Sequence, residues 1–198
     1  MEKTLVLIKH DGVSRGLIGR IVSRFERVGL KLVALEFIKS TSDMGEGHYP
    51  TSDEWYLKVG NRTLSDYKAK GIDPIQELGT DKPMQIGKLV KQWNVDYLTY
   101  GPVLAIVLEG PDAVSLVRKI AGDTIPSKAL PGTIRGDFGM DSIEQANKQK
   151  RPLYNLIHAS GEVDEAETEI ALWFGEQEVF DYKVHSNSMT GIYGKLGS

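Results

Sequence analysis

Apolar residues recur along the chain with two different periods, and these periods predict its secondary structure. Residues 4–9 (TLVLIK) form a β-branched and leucine-rich run that ends at a turn signal, residues 11–12, which predicts a strand. From Leu17 onwards apolar residues return at helical spacing with arginines on the other side, which predicts a helix ending at Gly29. Residues 30–38 alternate well enough to be a second strand.

The second half of the chain has the same order of elements. Residues 86–97 regain a helical pattern, and residues 102–108 (PVLAIVL) form the clearest buried strand. A helix is predicted over residues 112–121, and a last strand near residues 133–138. Residues 163–174 predict an amphipathic helix whose first turns are acidic, as the helix dipole favours.

Two strand-helix-strand units in tandem predict an α+β fold of the ferredoxin-like type, an antiparallel sheet covered by helices. Residues 40–81 are polar and weakly periodic, so we expect helical turns and loops inserted between core elements. The 198 residues are predicted to form a single domain, residues 1–198. The tail, residues 181–198, has few core-forming residues and is expected to wrap a neighbouring surface.

Composition restricts the compartment and the partners. The chain has no cysteine, so no disulfide forms, which fits a reducing compartment. It has no apolar run of about 18 residues, so we expect a cytoplasmic protein without a membrane span. The net charge is −3 and basic residues are scattered, which disfavours nucleic-acid binding but permits a small phosphorylated ligand.

The loop between Arg118 and Arg135 (RKIAGDTIPSKALPGTIR) is a candidate phosphate site. Arginine can form bidentate hydrogen bonds with phosphate oxygens, and Thr124 can add a hydroxyl donor. Two prolines stiffen the loop and lower the entropy lost on binding. The alternative is an ordinary surface loop, since two arginines and a proline-containing loop are common.

A second candidate is His158 in the segment NLIHASG. A neutral imidazole is a good nucleophile towards phosphorus near pH 7. Glu169, about two turns into the next helix, could orient the ring, and Ser160 could donate a hydrogen bond. The alternative is a structural histidine. Because no two histidines form a helical i, i+4 pair and cysteine is absent, no metal site built from protein side chains is expected.

Five motifs together resemble one family, the nucleoside diphosphate kinases. In chain order they are IKHDGV (8–13), HYP (48–50), PGTIRGDF (131–138), NLIHAS (155–160) and EIALWF (169–174). The resemblance covers most of the chain apart from the tail and two insertions, near residues 51–81 and within residues 139–151. It implies an enzyme that transfers the γ-phosphoryl group of a nucleoside triphosphate to a nucleoside diphosphate through a phosphohistidine.

The resemblance also implies roles for individual residues. His158 matches the nucleophile, and Ser160 and Glu169 match the groups that position it. The positions that match nucleotide contacts are Lys9, Tyr49, Met84, Arg118, Thr124, Arg135 and Asn155. Mg²⁺ is expected to arrive with the nucleotide, held mostly by phosphates and water. Members usually assemble as hexamers, so we expect a homo-oligomer.

Three positions depart from the family pattern. His10 stands where the family has proline, which we interpret as a tolerated surface change. Gly161 stands where an aspartate is common, and Met84 where many members have an aromatic residue that stacks on the base. The alternative to an active kinase is therefore a catalytically weak, nucleotide-binding regulatory member whose insertions serve a partner.

Overall fold

An antiparallel sheet of four strands lies at the centre of the described chain, which comprises residues 1–49, 51–175 and 179–182 of a computed structural model. Its strands are β1 (Glu2–Ile8), β2 (Lys31–Lys39), β3 (Pro102–Gly110) and β4 (Ile157–Ala159). The order across the sheet is β2-β3-β1-β4. The strands predicted over residues 4–9, 30–38 and 102–108 are therefore confirmed.

Helices cover the sheet and fill the connections between strands. They are α1 (His10–Ser14), α2 (Ile18–Glu26), α3 (Ser42–His48), α4 (Asp53–Ala69), α5 (Pro74–Leu78), α6 (Pro83–Thr99), α7 (Ala113–Ala121), α8 (Ile134–Phe138), α9 (Ile143–Lys148) and α10 (Val163–Phe174), with a 3-10 turn at Pro126–Lys128. The predicted helix over residues 163–174 has the observed bounds, and α2 ends three residues before Gly29. In the described residues, no helix has both the length and the apolar character to cross a membrane.

Successive side chains of β1 enter opposite layers of the core, because side chains alternate along a strand. Val6 and Ile8 pack in the layer that contains α2 and α7. Leu5 and Leu7 pack in the other layer, with residues of α10 and the end of α6. The central strand is thus buried on both faces, and its carboxyl end leads directly into Lys9.

The strand predicted over residues 133–138 is wrong, because this segment forms α8. Thr133 caps the helix, its hydroxyl accepting a hydrogen bond from the Gly136 backbone N–H at 3.0 Å. The fourth strand is instead β4, in which His158 lies opposite Leu7 of β1. The candidate nucleophile therefore lies on the sheet itself, where backbone pairing fixes its position.

Residues 40–81, which we expected to form helical turns and loops, include the 17-residue helix α4. This helix packs closely on α6 at two glycines. A Cβ at Gly60 would overlap the carbonyl of Pro83, and a Cβ at Gly87 would overlap the carbonyl of Tyr56. The buried residues of α4 are Gly60 and two tyrosines, Tyr56 and Tyr67, with no buried aliphatic residue, which explains the weak periodicity.

The end of the described chain lies along β2. The Phe180 backbone N–H donates to the Val33 carbonyl at 2.9 Å, and the Tyr182 hydroxyl donates to the Leu32 carbonyl at 2.7 Å. Residues 183–198, most of the tail expected to wrap a neighbouring surface, lie outside the described residues.

Candidate active site

A cavity of about 570 Å³ opens along β4 and receives side chains from distant parts of the chain. Seven residues predicted from the sequence line it: Lys9, Tyr49, Arg118, Thr124, Arg135, Asn155 and His158. Ser160 and Glu169 are buried and contact each other next to His158. Met84 lies outside the cavity lining.

The backbone just before β4 is strained and is held by Asp11. Leu156 has a φ of 70°, a left-handed conformation that is unfavourable for a bulky residue. The Asp11 carboxylate accepts a hydrogen bond from the Leu156 N–H at 3.1 Å, and the Lys9 N–H donates to the Leu156 carbonyl at 2.8 Å. Residues 11–12, which we interpreted as a turn, lie in α1, and Asp11 anchors the segment before His158.

Lys9 and Asn155 form one wall of the cavity. The Lys9 ammonium donates to Asn155 Oδ1 at 3.0 Å, and Asn155 Nδ2 donates to the Thr124 carbonyl at 3.1 Å. Burial, with a contribution from the Arg135 charge, lowers the pKa of Lys9 to about 7, and Asp11 partly opposes this shift. An anion bound next to Lys9 would stabilise its charged form and raise that pKa.

The two arginines of the predicted phosphate loop have different environments. Arg135 is buried and donates to three backbone carbonyls, those of Gly122 (2.7 Å), Asn155 (3.1 Å) and Ile157 (2.8 Å). Burial and the Arg118 charge lower the pKa of Arg135 to about 10. Arg118 is exposed and has no side-chain hydrogen bond or ion pair with the described residues. Arg135 therefore also supports the structure, whereas Arg118 is free to bind a ligand.

Glu169 holds the ring of His158. Its Oε1 lies 2.8 Å from His158 Nε2, a contact that does not meet the full geometry of a hydrogen bond, and its Oε2 accepts a hydrogen bond from the Ser160 hydroxyl at 2.6 Å. Burial, followed by the charges of Lys9 and the two cavity arginines, keeps the pKa of His158 well below its usual value. The ring is therefore neutral at pH 7. Since Nε2 is buried against Glu169, Nδ1 is the nitrogen available to the cavity.

His48 belongs to this buried group, although we singled it out only as part of the HYP motif. Its ring lies 4.3 Å from the His158 ring, nearly perpendicular to it, and its Nδ1 accepts from Trp173 Nε1 at 3.3 Å. The same Nδ1 lies 3.6 Å from Glu169 Oε1. Burial and the nearby His158 keep the pKa of His48 well below its usual value. His48 therefore packs as a neutral ring beside the candidate nucleophile.

The ligand atoms of His48, His158 and Glu169 all lie within 4.8 Å of one another, a separation that could hold a metal ion. The charges that lower the pKa of His158 come from Lys9 and the cavity arginines, and they would equally oppose a divalent cation here. The arrangement is better suited to an uncharged nucleophile facing an anionic ligand.

Comparison with known proteins identifies the family. The family model described as nucleoside diphosphate kinase matches residues 2–57 and 86–179. The nucleoside diphosphate kinase of Pyrobaculum aerophilum is 47% identical over 181 residues, which cover 91% of this chain and 99% of that protein. The chain belongs to the nucleoside diphosphate kinase family. The family and the kinase activity predicted from the sequence are confirmed.

Solved structures support the same assignment. A crystal structure of the Pyrobaculum aerophilum kinase gives a TM-score of 0.88 at 46% identity, covering 91% of this chain and 99% of that one. A transition-state mimic of the Borrelia burgdorferi kinase with bound vanadate and ADP gives a TM-score of 0.74 at 34% identity, covering 94% of this chain and 95% of that one. The ferredoxin-like α+β fold is therefore confirmed.

Gly161, one of the departures from the kinase pattern, has a carboxylate directly beside it. Glu165 Oε2 accepts a hydrogen bond from the Gly161 N–H at 2.7 Å, and it lies 2.5 Å from the position that a Cβ at Gly161 would take. Both residues line the cavity. The cavity therefore has an acid at this point, contributed by α10 instead of residue 161.

The other two departures lie outside the cavity. His10 is half-buried, its Nδ1 lies 2.9 Å from the Tyr97 carbonyl, and its ring contacts the rings of Tyr97 and Tyr154. Met84 lies in the first turn of α6 without lining the cavity. The aromatic residue that many kinases of this family stack on the base thus has no counterpart at Met84 in the cavity wall.

Proposed function

We propose that this chain transfers the γ-phosphoryl group of a nucleoside triphosphate to a nucleoside diphosphate, with His158 as the carrier. The observation that supports this most directly is a neutral His158 whose Nε2 is buried against Glu169 and whose Nδ1 is left for a cavity lined by cations. A kinase 34% identical to this chain has been solved as a transition-state mimic with vanadate and ADP, which also supports it.

The reaction takes place in two transfers at one nitrogen. The Nδ1 lone pair of His158 forms a bond to the γ-phosphorus as the bond to the β-phosphate oxygen breaks, and the nucleoside diphosphate leaves. A terminal oxygen of a second nucleoside diphosphate then attacks the phosphorus, and the bond to Nδ1 breaks. Each transfer requires in-line positioning and stabilisation of charge on the phosphoryl oxygens.

Each charged residue has a distinct part in this scheme. Arg118 is unpaired within the described chain and forms hydrogen bonds with the transferring phosphate, while Lys9 adds a point charge. Arg135 keeps Asn155 and Ile157 in place and adds positive charge. Thr124 donates its hydroxyl to a phosphate, and Lys9 and Asn155 also reach the sugar.

Glu169 and Ser160 act on the nucleophile from the side away from the ligand. When phosphate is attached to Nδ1, the ring carries positive charge and a proton on Nε2. The Glu169 carboxylate stabilises that charge because its Oε1 lies next to Nε2. The Ser160 hydroxyl fixes the carboxylate through the other oxygen, so that the ring cannot turn away.

The family generally depends on a divalent cation, and we propose Mg²⁺ for this chain. Two carboxylates line the cavity, those of Asp123 and Glu165, and each already accepts a backbone N–H. This donor set fits an ion held by phosphates and water better than one enclosed by protein oxygens. When bound, Mg²⁺ would neutralise charge on the nucleotide phosphates.

We also propose a cytoplasmic homo-oligomer, with a hexamer as the expected state. The supporting observation is the second half of the edge strand β2, beyond the contact of Phe180 with Val33, where Leu35 and Phe37 are 50% and 56% exposed. An edge strand with exposed apolar residues is typical of a surface covered by another chain. Light scattering coupled to size exclusion tests the subunit number.

Labelling with phosphate tests the reaction. Wild-type protein incubated with Mg-[γ-³²P]ATP should acquire a base-stable, acid-labile label that any nucleoside diphosphate removes. The variant His158→Ala should keep the fold, judged by circular dichroism, and take no label. The control His10→Asn changes a histidine outside the cavity and should label normally. Wild-type protein that never labels would exclude catalysis, and ADP binding without discharge of a label would support the regulatory alternative.

A further inference from the structure

Arg62 lines the nucleotide cavity although it lies in a part of the chain that the family model does not match. It belongs to α4, and the unmatched stretch that contains it comprises residues 58–85. Its side chain is exposed and has no hydrogen bond or ion pair with the described residues. An unpaired guanidinium at the wall of a ligand cavity is available to the ligand.

Arg62 lies at the end of the cavity away from the reacting nitrogen. His158 enters the cavity from β4, which pairs with β1 in the sheet, whereas Arg62 enters it from α4, which packs on α6 outside the sheet. The cavity is also lined by Asn94 of α6, the helix on which α4 packs. The phosphates must lie near His158 for transfer, so the base of the same nucleotide extends towards the distant end.

The backbone of α4 is fixed where Arg62 leaves it. Gly60, two residues earlier, contacts the Pro83 carbonyl so closely that no Cβ fits, and Gly87 contacts Tyr56 in the same way. Two such contacts fix both the separation and the rotation of α4 on α6. Arg62 therefore begins from a defined position beside the cavity, although its side chain is exposed.

We propose that Arg62 forms the base end of the nucleotide site, with its guanidinium plane lying on the face of the bound base. This inference rests on the proposed function, because it takes the position of the base from the position of the transferring phosphate.

Three observations favour the base over a phosphate as the partner of Arg62. The guanidinium is planar and stacks well on π systems. Tyr49, the aromatic residue among the described cavity residues, lies at the other end, with its ring 5.0 Å from that of His48. Met84 lies outside the lining, and none of the described residues that line the distant end is aromatic. Because every base presents a π face, the contact predicts tolerance of different bases.

A base-free ligand distinguishes the two partners. We would measure the Kd of ADP and of ribose 5-diphosphate for wild type, Arg62→Ala and Arg62→Lys by calorimetry. Arg62→Ala should weaken ADP binding about tenfold and leave ribose 5-diphosphate unchanged, since it removes only stacking. Arg62→Lys should resemble Arg62→Ala, because the charge is kept and the plane is lost. The control Lys68→Ala removes an exposed charge from the same helix and should change neither Kd.

If Arg62→Ala weakens the binding of both ligands equally, the proposal is overturned in favour of a phosphate contact. If it does not weaken ADP binding, Arg62 makes no contact with the nucleotide. The same preparations would be labelled with saturating Mg-ATP to test the proposed function separately. If His158 is labelled but the ADP affinity does not change in the Arg62 variants, only the Arg62 proposal is overturned. If no label forms but Arg62→Ala weakens the binding of ADP and not that of ribose 5-diphosphate, only the proposed phosphoryl transfer is overturned.

Discussion

The two ends of the nucleotide cavity are built in different ways. The inner end is formed by β1, β4 and the loop after α7, and its side chains are fixed by buried hydrogen bonds, such as Lys9 to Asn155 and Ser160 to Glu169. The outer end is formed by α4 and α6, and its guanidinium, Arg62, is exposed and unpaired within the described chain. Chemistry that needs exact positioning thus takes place in a preorganised region, while the base meets an adaptable surface.

The largest expected effects are those of substituting the two arginines of the inner end, Arg118 and Arg135, and the two variants should differ in stability. Arg118→Ala should lower kcat by about 10²- to 10³-fold with little change in Tm, because Arg118 is exposed and stabilises transition-state charge. Arg135→Ala should also lower Tm by several degrees, because it leaves three backbone carbonyls, two of them buried, without their donor. Steady-state kinetics and thermal unfolding measure both. Equal Tm values for the two variants would contradict this division.

Glu169→Gln tests the positioning of the nucleophile. The variant keeps the shape of the side chain but loses the charge that stabilises the phosphorylated ring, so labelling should slow by about tenfold to a hundredfold. Rapid-quench measurement of label formation detects the change, with ADP affinity unaltered. The control Glu167→Gln alters an exposed acid of the same helix and should label at the wild-type rate. Similar rates for all three proteins would remove Glu169 from the mechanism.

The pKa of Lys9 predicts how ADP binding at the inner end depends on pH. Its value of about 7 in the free protein means that Lys9 loses its charge as the pH rises through 7. Bound phosphate raises the pKa of Lys9, so ADP binding above pH 7 takes up a proton. Below pH 7 Lys9 is already charged, and its contribution to ADP affinity is complete. From about pH 7.5 to 9, where phosphate is ionised, affinity should fall by up to about tenfold per pH unit.

Calorimetry in buffers of different ionisation enthalpy measures this proton uptake. Lys9→Met supplies the control, because its weaker binding should not vary over the same pH range. A wild-type affinity that stays constant from pH 7.5 to 9 would show that Lys9 is already fully charged in the free protein.

The smallest effect is expected from the outer end. Gly60→Ala forces a methyl group against the Pro83 carbonyl, which should destabilise the fold by about 1–3 kcal/mol. By displacing Arg62 it should also weaken ADP binding a few-fold while His158 is still labelled. Gly19→Ala, in open space on α2, is the matched control and should not destabilise the protein. Loss of labelling in folded Gly60→Ala would show that the two ends are not independent.

The inner end was largely predictable from the sequence, because short local motifs form it. His158, Lys9 and Asn155 come from segments that lie beside one another through the pairing of β1 with β4. The strand predicted at residues 133–138 was wrong because the segment has only two apolar residues, Ile134 and Phe138, and their spacing of four residues is that of a helix. The Thr133 cap and the buried contacts of Arg135 select the helix.

The outer end was not predictable, because it depends on contacts between distant residues. The crossing of α4 and α6 is fixed by close approach at Gly60 and Gly87, and glycines in a polar segment give no sign of their partners. Arg62 likewise resembles any exposed helical arginine until the cavity is known. Met84 was assigned from the family resemblance alone, and it lies outside the cavity lining.

The central claim is that phosphate is carried on one particular nitrogen, Nδ1 of His158. After labelling with Mg-ATP, ³¹P NMR of the denatured protein at alkaline pH distinguishes the two phosphohistidine isomers, and fragmentation of the peptides locates the residue. We expect a single Nδ1-linked phosphohistidine at residue 158, because Nε2 is buried against Glu169. Phosphate on Nε2 of His158, or on the neighbouring His48, would contradict the account.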